Sequence, residues 1–446
     1  MTRIRTSHRG VASVMRSLLL LVVAAACTGS KSPASGSAPN DLDVDPSKIP
    51  VAAPSDARAL DATPPTSVDL GDAGPAAAAP TAAGLDFIAD AKLLFRIAAC
   101  GGSDPLPDAF AAHTKIIDAH CKKIGEQVTK FRAAYFDRHQ KWFRAVVPTD
   151  IPKTVVYPFG GGDLVSTLVA FPDATEVTTI SLELAGDPRR LKTLEPAALQ
   201  RSLAAFRVEI GGLIQVGSNT SKNLSTGQRN DLPGQVSSFL LGLHAGGFEP
   251  VSMRYFKLDD KGAIVYLDQA AIDAAAAATG SLKGDWHSPN FSAAFSHVEI
   301  QYKRPDSTEI RTHRHFGWNL ADTYLAQHPQ LIRHLEAKGK VTVLVKGASY
   351  LLWSNTFSTI RTYIIDHLAW MLSDSTGIPP YYARKANMVQ TTYGSFAGAF
   401  LEGSQGTATD QAFVELWEKN PKHAMSFRFG YTDMLKQAHA MVTKPR

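Results

Sequence analysis

The segment Arg311-Thr-His313-Arg-His315 sets two imidazoles two residues apart, with a guanidinium two residues before them. On a β-strand that spacing puts Arg311, His313 and His315 on one face. Two imidazoles so placed can share one divalent metal when a carboxylate from elsewhere supplies a third ligand. Asp322 and Glu299 are the nearest acids in sequence, and a metal held this way would serve a hydrolase or a transferase. Arg311 with both histidines can instead hold a phosphate or carboxylate group. The plainer use is a pair of half-buried, hydrogen-bonded histidines at the edge of a layer. A second polar stretch, Ser373-Asp374-Ser-Thr-Gly377-Ile-Pro-Pro380-Tyr381-Tyr382, offers Asp374 and two phenols around a turn stiffened by two prolines. It reads as the wall of a small-ligand pocket or as a rigid exit from the apolar helix expected before it. Nucleophile signals are poor, because Ser349 in KGASYL and Ser395 in YGSFAG both miss the G-x-S-x-G elbow.

These side chains need a scaffold, and the hydrophobic periodicity supplies one. A β-rich run over 152–158, a glycine turn, a short apolar helix over 164–170 and a strand over 177–183 make a strand, turn, helix, strand unit. Helices follow over 196–215 and 234–244, strands over 250–256 and 263–267, and a hairpin over 296–316. Beyond it the pattern gives a helix over 321–338, a strand over 340–346 and an apolar helix over 357–372. A four-residue hairpin loop, Arg304 to Ser307, would pair Val298 with His313 and Glu299 with Thr312. The histidines then share a face with Val298, Ile300 and Tyr302, and Glu299 and Arg314 share the other. Helices between single strands favour a mostly parallel sheet covered on both faces, and the hairpin makes it mixed. The expected fold is α/β, a Rossmann-like three-layer α/β/α arrangement.

In such a fold, ligands sit beyond the carboxyl ends of the strands, which singles out the turn Phe159-Gly160-Gly161-Gly162-Asp163. Glu183 lies 21 residues beyond Gly162, a spacing that suits an acid on a ribose. Read this way, the turn resembles a worn nucleoside-cofactor loop of the methyltransferase type. The spaced glycine pattern is absent, however, and Asp163 puts a carboxylate where a nucleotide phosphate would be repelled. A glycine run also serves any tight strand-to-helix turn that needs positive φ.

At the N-terminus, Arg3, Arg5, Arg9 and Arg16 precede an apolar run, SLLLLVVAAA, that ends in small residues before Cys27. That is an export signal, too short to span roughly 30 Å of hydrocarbon. Its Ala25-Ala26-Cys27 ending resembles the bacterial lipoprotein signal class, with Ala24 where Leu is usual. The resemblance implies cleavage before Cys27 and acylation of its thiol, and acyl chains contribute about 0.8 kcal/mol per buried methylene. The lipid bilayer is thus the first expected partner. No Asp follows in Thr28-Gly29, which favours the outer membrane over the inner. The whole chain carries a formal charge of +5; without the four signal arginines it is near +1, which gives no basis for a nucleic-acid partner. Nucleoside cofactors are kept in the cytoplasm, so export also counts against one here.

Residues 27–84 are rich in Ala, Pro, Ser and Gly and hold none of the 21 Phe, 12 Tyr or 6 Trp. Such a stretch cannot bury enough apolar surface to order itself and reads as a tether. The organisation expected is a signal at 1–26, a lipidated tether at 27–84, a helical segment at 85–150 and the α/β domain at 151–446. Cys100 and Cys121 remain after Cys27; in an oxidising compartment they either bridge an N-terminal helical hairpin or stay as two buried thiols.

Four further stretches belong together: Tyr157-Pro-Phe-Gly-Gly-Gly-Asp163, Phe171-Pro-Asp-Ala-Thr175, Lys346-Gly-Ala-Ser-Tyr350 and Asp374-Ser-Thr-Gly-Ile-Pro379. With them the chain, over most of 85–431, resembles a family of bacterial predicted lipoproteins and exported proteins. The resemblance carries no activity and assigns no residue a catalytic role. Two classes of function are therefore expected. The first is a non-enzymatic binding or surface protein without a cofactor; the second is a metal-assisted hydrolase or transferase on His313 and His315, or a degenerate methyltransferase-like domain.

Overall fold

The computed structural model describes residues 84–215, 232–277, 293–348, 350–396, 408–419 and 439–446, with a few positions between 423 and 429. Cys27, the expected signal and tether, and Ser349 lie outside the described residues.

Ten strands form one mixed sheet. In chain order they are β1 (Thr154–Pro158), β2 (Glu176–Ser181), β3 (Glu249–Leu258), β4 (Ile264–Tyr266), β5 (His297–Lys303), β6 (Arg311–Gly317), β7 (Val341–Val345), β8 (Leu368–Ser373), β9 (Met388–Gly394) and β10 (His439–Pro445). Their spatial order is β4-β3-β5-β6-β2-β1-β7-β8-β10-β9. The central five, β6 to β8, are parallel, whereas β5, β3 and β4 on one flank and β10 and β9 on the other pair antiparallel. The helices used below are α1 (Ile88–Ile97), α2 (Thr114–Phe131), α3 (Asp137–Val146), α4 (Leu164–Ala170), α5 (Pro196–Gln215), α6 (Gly234–Gly246), α7 (Gln269–Ala277), α8 (Asp322–Gln327), α9 (Gln330–Glu336), α10 (Ser358–His367), α11 (Pro380–Lys385) and α12 (Ala408–Lys419).

Alternation along the strands splits the apolar side chains between the two faces. Val155 and Tyr157 of β1 join one cluster with α1, α2, α4, α5 and α6. Val156 of β1 and Val341, Val343 and Val345 of β7 join another with α8, α9 and α10. The helix α6 is apolar nearly all round, with Phe239, Leu240, Leu241 and Leu243 buried, as a helix enclosed by its neighbours must be. It stops at Gly247 (φ 75°), whose N–H bonds back to the carbonyl of His244, a left-handed cap that glycine adopts without steric cost. A disulfide joins Cys100 at the end of α1 to Cys121 in α2, with Cα atoms 5.3 Å apart.

Three expectations need correction. The helix expected over 321–338 is two, α8 and α9, because Pro329 has no N–H and disfavours helical backbone at His328. The apolar helix expected over 357–372 ends at His367, and 368–373 is the strand β8. A strand buried on both faces shows no alternation, so Leu-Ala-Trp-Met-Leu carries the same apolar signal as a buried helix. The hairpin turn is longer than four residues, since β5 ends at Lys303 and β6 starts at Arg311. The register therefore slides by two, giving Val298↔His315, Ile300↔His313 and Glu299↔Arg314. A slip of two keeps every side chain on its face, and the division of the histidines from Glu299 and Arg314 stands.

Candidate functional site

From β1 the chain crosses to β2 on one side, and from β7 it crosses to β8 on the other. The loops leaving β1 and β7 thus diverge at a topological switch point, where open α/β sheets bind ligands. The first loop is Phe159 to Asp163; the second begins at Lys346. Two residues beside this crevice, Phe159 (φ 62°) and Tyr350 (φ 57°), hold left-handed backbone without being glycine, a conformation that persists only where surroundings enforce it.

Asp163 caps α4 by accepting from the Ser166 N–H at 3.2 Å. Its other oxygen takes the Tyr157 hydroxyl at 3.2 Å and the Lys346 ammonium at 3.1 Å. Lys346 also donates to Ser166 Oγ at 2.9 Å. A π-helical turn, Arg132–Phe136, carries Tyr135 in from the far side to interact with Ser166 and Lys346; single π turns of this kind often mark such positions. Burial pulls the Lys346 ammonium down, but Asp163 more than offsets it, and the lysine titrates well above its ordinary value. Burial raises both phenols, Tyr157 most, with Asp163 adding to the shift.

The glycines beside this cluster are covered by protein. A Cβ on Gly162 would run into Oε1 of Gln235 and sit 3.0 Å from Cβ of Ser238, both on α6. One on Gly160 would stand 2.9 Å from the Tyr157 ring, and one on Gly161 (φ 50°) would face Oε1 of the buried Glu183 at 3.6 Å. Glu183 does lie beside the glycine turn as its spacing suggested. Gln235 and Ser238 on one side and the Asp163 carboxylate on the other stand against the turn.

Asp374 opens the loop after β8. It is fully buried and follows a strand rather than a helix. Its carboxylate accepts from the N–H of Gly347 at 2.8 Å, the N–H of Thr376 at 2.9 Å and the Thr376 hydroxyl, so it clasps the β7 loop to the β8 loop. Tyr381 and Tyr382 stand apart from it, stacked under Lys385 and Arg361. Next to Asp374, Ser375 Oγ lies 2.9 Å from the Tyr350 hydroxyl and 3.1 Å from His439 Nε2. A serine beside a histidine is the start of a nucleophile, but Ser375 has no exposed surface and the nearby amides of Gly347, Ala348 and Thr376 are committed to Asp374 and Thr376. The arrangement holds a loop.

His313 and His315 have no exposed surface and pack against the Phe239 ring. Thr179 Oγ1 lies between them, 2.9 Å from His313 Nε2 and 3.0 Å from His315 Nδ1, and His315 Nε2 is 2.7 Å from the Glu183 carbonyl. A carbonyl only accepts, so His315 donates through Nε2 and accepts from Thr179 at Nδ1. The threonine oxygen must then accept from His313 Nε2. The result is a one-way chain from His313 through Thr179 and His315 to Glu183, and at its start His313 Nδ1 has no partner among the described residues. Burial drives both imidazoles neutral, His315 down to about 4 and His313 well below its ordinary value.

The acids considered as third ligands are engaged elsewhere. Glu299 is on the opposite face of the sheet, where it accepts from Arg254, Arg314 and Tyr266. Asp322 caps α10 through Ser358 and Thr359. Among the described residues no cluster of three or more His, Cys, Asp or Glu side chains is placed to hold a metal. Arg311 shares the histidine face but reaches away, to the Pro172 carbonyl and to Glu309. Of the sequence-selected residues, the structure brings together Gly160 to Asp163 with Glu183, and His313 with His315. Lys346, Tyr135 and Ser166, the groups that complete the crevice, were not selected; only the presence of Lys346 in a shared motif pointed to it.

Among the described residues no helix is long and apolar enough to cross a membrane. No protein-family model, curated protein or solved structure matches this chain.

Proposed function

We propose that this protein is an exported lipoprotein, anchored through acylated Cys27, whose domain binds or displays rather than catalyses. In this reading a tether over 27–84 joins the anchor, on the outer rather than the inner membrane, to a helical hairpin stapled by Cys100 and Cys121. Beyond it lies a Rossmann-like three-layer α/β/α domain. The observation that carries it is the closed switch point: Asp163, Lys346, Ser166 and two tyrosines satisfy one another where a cofactor would sit. Lys346, Tyr135 and Tyr157 are held above their ordinary values and His313 and His315 below theirs, all away from the neutral range that suits a general acid or base best.

Two measurements test this. Detergent-phase partitioning of the expressed protein should favour the membrane for the native chain and the aqueous phase for Cys27→Ser; a Cys27→Ser chain that stays with membrane sinks the anchor. Elemental analysis of the purified protein should find no stoichiometric transition metal. Equimolar zinc that disappears in His313→Ala would replace the binding reading with a metal-assisted one.

A further inference from the structure

At the end of β1 opposite the crevice, the described residues form a half-open cavity of about 100 Å³. Its floor is Phe143, Val155, Ala170 and Phe171, and its wall includes Ile151 and Pro172. This is where the Phe171-Pro-Asp-Ala-Thr175 motif falls, which the crevice leaves unused. A water needs roughly 10–15 Å³ on a comparable measure and an apolar cavity of about 150 Å³ takes a benzene ring, so the space suits a group of about five or six heavy atoms. The lining is apolar except at the rim, where Arg144, Lys153 and Asp173 stand exposed. Among the described residues neither Lys153 nor Asp173 makes a side-chain ion pair, and Arg144 reaches only Gln140, at 3.5 Å.

We infer that this cavity binds a small branched aliphatic carboxylate, its hydrocarbon end against Phe143 and Phe171 and its anionic end at Arg144 and Lys153. The rim carries two cations against one anion. The carboxyl ends of α3 and α4 at Val146 and Ala170 also abut the cavity and oppose an anion, but each acts as about half a charge that fades within a turn. The whole charges on Arg144 and Lys153 sit on long stems that can follow the ligand outward. Burial of a branched chain supplies the affinity, and the rim selects the charge.

This gives the binding reading above a ligand class, yet it stands apart from the anchor, because the cavity is built wholly from residues 143–174. The test is nuclear magnetic resonance titration of the full chain expressed as Cys27→Ser, with isovalerate, the neutral isopentanol and the peptide acetyl-Ala-Leu as probes. Saturable shifts confined to residues 143–155 and 170–174 are expected with isovalerate, at least fivefold tighter than with isopentanol. Arg144→Gln with Lys153→Gln should remove that preference, and Ala170→Leu, which fills the floor, should abolish binding. Ala174→Val is a second filling variant should Ala170→Leu not fold. Equal binding of acid and alcohol overturns the carboxylate, tighter binding of the peptide overturns a free small molecule, and no shifts with any probe overturn the site. None of these outcomes bears on whether Cys27 is acylated.

Discussion

On one face of the β5–β6 pair, His313 and His315 are buried as neutral rings chained through Thr179; on the other, Glu299 is buried as an ion between Arg254, Arg314 and Tyr266. The strands and the depth are the same, for Glu299 is 1% exposed and the histidines 0%. The charged face continues outward through Glu176 to Lys338, so every charge meets an opposite one before reaching water. The neutral face has no such exit; it ends on the unpartnered Nδ1 of His313. A buried ion must be matched by other ions, whereas a buried imidazole can give up its charge and needs only hydrogen bonds.

Acid should act on His313 and His315 before it acts on Glu176. A base held neutral in the folded chain takes its proton only on unfolding, so the unfolded state binds more protons once pH falls below about 6.5. Stability is full above that value, falls with acidity, and levels off for His315 only near 4. Each of His313 and His315 contributes about 1.4 kcal/mol per pH unit in that window. Urea melts between pH 7 and pH 5 check this, and a flat profile breaks the comparison. For Glu176, burial raises the carboxyl but Lys338 and Arg314 outweigh it and the net shift is downward. Its loss therefore starts only near and below its unfolded value of about 4.3.

Removing the ion comes next. Glu299→Ala leaves Arg254 without its carboxylate and Arg314 with Glu176 alone, and should cost about 3–5 kcal/mol, read as a fall in the denaturation midpoint. A cost under about 1 kcal/mol would mean that water reaches this face. On the neutral side, His315→Leu breaks two hydrogen bonds and should cost about 1–3 kcal/mol, while lowering the acid slope by about 1.4 kcal/mol per pH unit. His313→Leu breaks one bond but also removes the orphaned Nδ1, so a change of less than about 1 kcal/mol is expected. Calorimetry of the two leucine variants side by side should rank them in that order; the reverse order would refute the larger share of the chain assigned to His315. Smallest of all, Glu309→Ala should move thermal unfolding by no more than about 0.5 kcal/mol, because its pair with Arg311 lies at the surface, where Glu309 is 53% exposed.

The division between these faces was legible in the sequence because it depends only on parity. The register was not, because turn length fixes it and nothing in 304–310 forces a four-residue loop. The short helix 164–170 and the long one at 196–215 were read at their observed bounds, where caps and turns frame a helical period. The strands at 388–394 and 439–445 went unread; their partners lie far along the chain and neither run alternates cleanly. The crevice was half legible. Glycines announce a turn, but the Lys346–Asp163 bond joins residues 183 apart, and Tyr135 arrives only because a helix slips into a π turn. Sequence spacing reports what one element presents, whereas this site is made where four elements converge.

The place of β10 has a consequence for how the molecule is assembled. Although it comes after every other strand in the chain, β10 lies inside the sheet, with β8 on one side and β9 on the other. Until 439–445 is made, β8 has an open edge and β9 is held by packing against α11, α12 and Trp142. Both are then unsatisfied edges. Closure of this flank of the sheet therefore waits on the last of the described strands to be made, and a chain lacking that strand stays open there.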